Sequence, residues 1–135
     1  MLQPKKSKYR KQFRGKNRGV AHRGNALVFG EFGLKATEAG WVSSRQIEAA
    51  RKKITFATKR AGRYWMRLFP DKPVTGKPVG VKMGSGKGDI QHYVAVIKPG
   101  TILFEMSGVT ADVAKSAFTK AGHKLAVKTT FVNKE

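Results

Sequence analysis

Apolar and polar positions change their period several times along the chain. Leu27-Val28-Phe29-Gly30-Glu31-Phe32-Gly33-Leu34 reads as a strand weakened by glycines. Gly40-Trp41-Val42 then leads into Ser43 and Ser44, either of which can cap a helix, and Glu48 sits where a partial capping box would want it after Ser44 or Arg45. Ile47, Ala50, Ile54, Ala57 and Ala61 recur at spacings of three and four, which predicts one apolar helix face ending at Gly62. At about 100° per residue, Arg45, Lys52 and Lys59 fall on the opposite face, flanked by Lys53 and Arg60. Phe56 also falls among these basic positions. Packing against a neighbouring segment and stacking on RNA both fit it.

Further on, Arg63 to Phe69 reads as an aromatic-rich strand. Ile90 to Ile97 and Ile102 to Met106 predict a hairpin, with Pro99 and Gly100 central in a type II turn. Thr110 caps a second helix with Asp112 in its first turn, and Val113, Ala117, Phe118 and Ala121 form its buried face up to Gly122. Leu125, Val127, Thr129 and Phe131 alternate with Ala126, Lys128 and Thr130, so the chain closes on a strand. The expected fold is α+β, a two-layer sandwich of two helices on a mixed or antiparallel sheet.

Two stretches break this pattern. Residues 1–24 hold Lys5, Lys6, Lys8, Arg10, Lys11, Arg14, Lys16, Arg18 and Arg23, and the first acid is Glu31. Too little apolar surface is present there to fold alone, so this arm is expected to order along phosphates. Residues 70–89 interleave Pro70, Pro73 and Pro78 with five glycines and with Lys72, Lys77, Lys82 and Lys87, with room for a short strand near Val74. Long loops inside compact domains are usually functional or disordered. The expected organisation is an RNA-binding arm at 1–24 and one domain at 25–135 carrying this protruding loop.

Charge then narrows the partner. Lys and Arg number 28 against 8 Asp and Glu, a net +20 on 135 residues, which calls for a polyanion. Nucleic acid fits better than a membrane. No apolar run approaches a bilayer span, and no signal core or lipidation motif is evident. Cysteine is absent, and His22, His92 and His123 match no metal-ligand spacing, so neither a metal nor a cofactor is expected. The chain reads as soluble and cytoplasmic or organellar.

Met83-Gly84-Ser85-Gly86-Lys87-Gly88-Asp89 has the look of a phosphate-binding loop. A Walker loop needs glycine where Val81 stands and Ser or Thr where Gly88 stands, so the motif fails at both ends. A dinucleotide fingerprint should open a helix, whereas Ile90 begins a strand. Glycines that admit a phosphate and lysines that neutralise it are what remain. Asp71, Asp89, Glu105 and Asp112 form no recognisable acid-base pair with a nucleophile, and Ser85 beside Lys87 is a common pairing. His92 in its strand reads as packed or RNA-facing. The chain is not expected to be an enzyme.

Met1-Leu2-Gln3-Pro4-Lys5 followed by Tyr9-Arg10-Lys11 resembles the start of the bacterial large-subunit ribosomal protein L-sixteen family. So do Gly40-Trp41 before the first helix, Lys77-Pro78 leading to Met83-Gly84-Ser85-Gly86-Lys87-Gly88, and the ending Lys128-Thr129-Thr130-Phe131-Val132. The resemblance covers essentially the whole chain. It implies an α+β sandwich bound to large-subunit rRNA near the central protuberance and the peptidyl transferase region, joining late in assembly beside neighbouring ribosomal proteins, one copy per ribosome. It also implies that the glycine-lysine loop, Lys77, Lys82, Met83, Gly84, Ser85, Gly86, Lys87 and Gly88, approaches A-site tRNA. Many family members carry Arg, hydroxylated in some bacteria, where this chain has Lys82. Lysine keeps the charge but lacks the planar fork and cannot carry that modification. An RNA-modifying or nucleotide-dependent factor and a free RNA chaperone are the competing readings, separable from a ribosomal constituent by stoichiometric co-purification with large subunits.

Overall fold

In the computed structural model, residues 3, 4, 17, 19–76 and 89–134 are described. The elements run β1 (Phe32–Ala36), β2 (Gly40–Ser43), α1 (Ser44–Ala57), β3 (Arg63–Met66), β4 (Lys72–Gly76), β5 (Asp89–Ile97), β6 (Ile102–Ser107), α2 (Ala111–Gly122) and β7 (Thr129–Asn133). The α+β class is as expected. The strands divide between two sheets, one ordered β3-β6-β1-β7 and the other β2-β5-β4, with every pairing antiparallel.

The predicted hairpin of β5 and β6 does not form. Its turn does: Thr101 N–H donates to the Lys98 carbonyl at 3.2 Å, and Gly100 takes the positive φ of 94° that a type II turn requires. The flanking backbone, however, pairs elsewhere. Gly100 N–H donates to the Ala36 carbonyl, and Ala36 N–H donates to that of Thr101. The turn is therefore a corner at which the chain leaves one sheet for the other. Gly40–Ser43, expected only as a lead-in to the helix, pairs with β5. The short strand near Val74 is present as β4, on a sheet edge, where Pro73 costs no interior ladder bond.

The first strand begins at Phe32 rather than Leu27. Val28, Phe29 and Gly30 aim their N–H groups at a single carboxylate oxygen of Glu105, each at 2.9 Å, and so are unavailable to a ladder. β6 is buried along Ile102–Met106, as a central strand covered on both faces must be, and Glu105 sits fully buried within that run.

The two helices pack on each other, α2 also on β1 and β7, and α1 on β2 and β5. Ile47, Ala50 and Ile54 of α1 and Ala114, Ala117, Phe118 and Ala121 of α2 enter the core with Leu34, Phe104 and Met106. Val113, expected in that face, is 38% exposed and Ala114 takes its place, a shift of one residue around the helix. The final strand starts at Thr129, later than the alternation from Leu125 suggests, although Val127 is buried. Phe131 stacks on Phe32 with ring centroids 5.7 Å apart.

Candidate nucleic-acid interface

α1 begins on a complete capping box. Ser43 accepts from Gln46 N–H at 3.2 Å, and the Gln46 side chain accepts from Ser43 N–H at 2.9 Å. The cap thus lies one residue before Ser44 and uses Gln46, leaving Glu48 for a different task. Glu48 binds the Arg51 guanidinium at 2.9 Å, one turn along. The Glu48 carboxylate, then the Tyr64 hydroxyl, raise the Arg51 pKa above its ordinary value against the opposing effect of burial. Arg51 is a fixed cation that helical spacing alone does not single out.

The helix ends sooner than its apolar spacing suggests. Thr58 is the C-cap, and Lys59 and Arg60 follow in left-handed backbone with φ of 53° and 65°. Lys59 N–H donates to the Phe56 carbonyl and Arg60 N–H to that of Thr55, both at 3.2 Å. These are the paired bonds of a Schellman motif, with lysine where glycine is usual. Lys59 and Arg60 are therefore presented from the helix end and not from its flank, and Ala61 is exposed rather than part of the apolar face. Two cations beyond the C-terminus also complement the helix dipole. Gly62, expected to end the helix, instead turns the chain into β3 at φ 71°, where a Cβ would lie 2.4 Å from the Ser107 carbonyl oxygen.

Arg45, Lys52, Lys53, Lys59 and Arg60 are all exposed, and none forms an ion pair with a described residue. Ile47 and Ile54 lie fully buried on the other side of the same helix. Exposed cations thus occur from the α1 N-terminus to just past its C-terminus, Lys59 and Arg60 lying beyond the helix itself. Phe56 stands in its midst, 82% exposed. Among the described residues, it is not one of those that pack against the core.

The described end of the basic arm is tied to the corner between the sheets. Asn17 Nδ2 donates to the Ile97 carbonyl at 2.8 Å, Ala21 N–H to that of Pro99 at 3.0 Å, and Ile102 N–H to that of Gly24 at 2.8 Å. Arg23 projects outward and is exposed. Lys5, Lys6, Lys8, Arg10, Lys11, Arg14, Lys16 and Arg18 lie outside the described residues, as do Lys77, Lys82, Met83, Gly84, Ser85, Gly86, Lys87 and Gly88. At the root of that loop, the Lys72 ammonium sits 4.7 Å from the Trp41 ring centroid, joining two strands of the smaller sheet.

Arg67 binds the second oxygen of Glu105 and donates to the Ala26 carbonyl at 3.2 Å. Its guanidinium lies 5.4 Å over Phe29, which stacks on Trp65. Burial pushes the Glu105 carboxyl up, but the Gly30 N–H, Arg67, and the Val28 and Phe29 N–H groups together hold it below the ordinary value. This buried acid fastens the segment through which the arm joins the domain. No local pattern marks it, since Glu105 reads in sequence as one polar residue within an apolar strand. His92 is exposed on β5. Among the described residues, no group of three or more His, Cys, Asp or Glu could hold a metal ion. No helix among them is long and apolar enough to cross a membrane.

Residues 4–132 match the family of ribosomal protein L16p/L10e. Over 135 residues, 100% of this chain and 98% of the relative, the chain is 54% identical to the large ribosomal subunit protein uL16 of Francisella philomiragia subsp. philomiragia. Over the same shares it is 53% identical to the proteins of that name from Francisella tularensis subsp. novicida and Francisella tularensis subsp. tularensis. With its full length accounted for in this way, the chain belongs to the ribosomal protein L16p/L10e family, whose members are structural and not catalytic.

Proposed function

We propose that this chain is a structural constituent of the large ribosomal subunit that binds large-subunit rRNA, supports late subunit assembly and positions A-site tRNA. The observation that carries the reading is the α1 surface. Arg45, Lys52 and Lys53 on α1, and Lys59 and Arg60 just beyond its C-terminus, stand exposed with no acid paired to them among the described residues, and the other face of the helix is core. Such a surface neutralises phosphates and releases counterions, while the folded domain supplies the shape that a particular RNA site selects. Lys5 to Arg23 add nine further cations in the sequence, and Asn17, Ala21 and Gly24 bond to the corner between the sheets. Lys77, Lys82 and Lys87, separated by glycines, supply the charge for the tRNA backbone. Neighbouring ribosomal proteins and a place in bacterial-type ribosomes follow from the relatives' name.

The experiment is depletion and replacement. Bacteria living on a tagged copy of this chain should yield large subunits containing it at one copy each, retained through a moderate salt wash. Depletion should leave large-subunit precursors, and adding the chain back should complete them. Recovery of the chain mainly free, or with no effect of depletion on subunit maturation, would overturn the reading.

A further inference from the structure

A single exposed apolar side chain is ordinary on a protein surface. Phe56 is distinguished by what surrounds it. With Arg51, Lys52, Thr55, Lys59 and Arg60 it lines an open groove of about 510 Å³. Arg51 is held in place by Glu48, while Lys52, Lys59 and Arg60 have no ion-pair partner among the described residues. Lys59 and Arg60 are moreover kept in left-handed backbone, which non-glycine residues adopt at a cost and which concentrates at functional sites. The ring does nothing for the core, which closes on Ile47, Ala50 and Ile54 across the helix.

An apolar protein partner would have to desolvate the surrounding cations in order to reach the ring, which opposes such a contact. An anion with no planar apolar face would use the cations and leave the ring in water. A nucleotide satisfies both, since its base offers a π-face and its phosphates meet the cations. A paired base is already stacked within its helix, so the base must be unpaired. We infer that this groove takes one unpaired nucleobase of RNA, stacked on Phe56, with Lys59 and Arg60 on the phosphates beside it. The inference rests on the proposed rRNA-binding role and assigns a recognition step to one side of that interface.

The test uses large subunits assembled with the full chain carrying Phe56→4-azidophenylalanine. Irradiation should link position 56 to one rRNA nucleotide, and probing of the same particle should show that nucleotide unpaired. A link to a protein, to paired nucleotides, or to nothing overturns the inference. A second measurement reads affinity for large-subunit particles that lack the chain. Phe56→Leu should weaken binding roughly tenfold with an unchanged salt slope, whereas Phe56→Trp should retain it. Lys59→Gln with Arg60→Gln should instead flatten the salt slope. Equal affinity of the Leu variant and the unsubstituted chain, each with the same melting temperature, would also overturn it. Failure of the unsubstituted chain to enter large subunits removes the broader role, and this inference with it. Normal entry with a protein-linked position 56 removes this inference alone.

Discussion

The Glu105 carboxylate accepts the backbone N–H of Gly30 at 2.9 Å, 75 residues away in sequence, and both groups are buried. With Val28, Phe29 and Arg67 on the same carboxylate, one acid organises the irregular segment between the basic arm and β1. Glu105→Gln replaces a buried, multiply bonded anion with a neutral amide and leaves Arg67 without its counter-charge. It should destabilise the fold by about 3 kcal/mol in urea unfolding. A destabilisation under about 1 kcal/mol would remove Glu105 from this role.

The same carboxylate sets an acid dependence. Its pKa is lower in the folded chain than in the unfolded chain, so the unfolded state takes up the proton first as pH falls. Its contribution is complete above the unfolded value of about 4.3 and is lost as pH drops through the lower folded value. The stability gap between the unsubstituted chain and Glu105→Gln should therefore be widest near neutrality and shrink as the solution is acidified below about pH 4. A gap that widens on acidification would mean that the folded carboxyl binds its proton more tightly than the unfolded one.

At the end of α1, stability and binding should oppose each other. Lys59 occupies a left-handed position at φ 53° that glycine adopts freely. Lys59→Gly should stabilise the fold by about 1 kcal/mol while weakening RNA binding. Paired melting and binding measurements check this. A variant that melts lower would mean that the lysine side chain holds the turn.

Replacing Arg45, Lys52 and Lys59 by Gln should leave the fold intact, since all three are exposed and unpaired among the described residues. It should flatten the plot of log affinity against log salt by about 0.7–0.9 for each phosphate that the helix no longer neutralises. An unchanged slope in matched buffers would count against this face.

Under the proposed function, substitutions in the glycine-lysine loop should separate docking from tRNA binding. Lys82→Ala with Lys87→Ala should spare occupancy of the large subunit and reduce A-site tRNA affinity, more at low salt than at moderate salt. Normal occupancy with normal tRNA affinity at both salts would make the lysines a solubility feature.

Local signals mark both helices because their apolar faces repeat at a helical spacing, and Thr110 caps α2 as its position suggests. The α1 basic face follows from the same geometry, as Arg45 and Lys52 attest. What local patterns do not reveal depends on distant partners. The Pro99-Gly100 turn looks identical whether its flanks pair with each other or, through Ala36, with β1. Leu27–Gly30 has strand composition, but Val28, Phe29 and Gly30 surrender their N–H groups to Glu105, a choice visible only once β6 is in place. The helix end is misplaced in sequence because Ala57 and Ala61 continue the apolar spacing, while Thr58 and the left-handed Lys59 and Arg60 carry no glycine signature.

The decisive measurement is the density of a large ribosomal subunit containing this chain, resolved to side chains around α1. Arg45, Lys52, Lys59 and Arg60 should lie within hydrogen-bonding distance of rRNA phosphates. The Ile47 and Ile54 side should remain packed inside the domain. A particle in which this face of α1 is turned to open solvent, with the domain held by other surfaces, would contradict an rRNA-binding role for the helix.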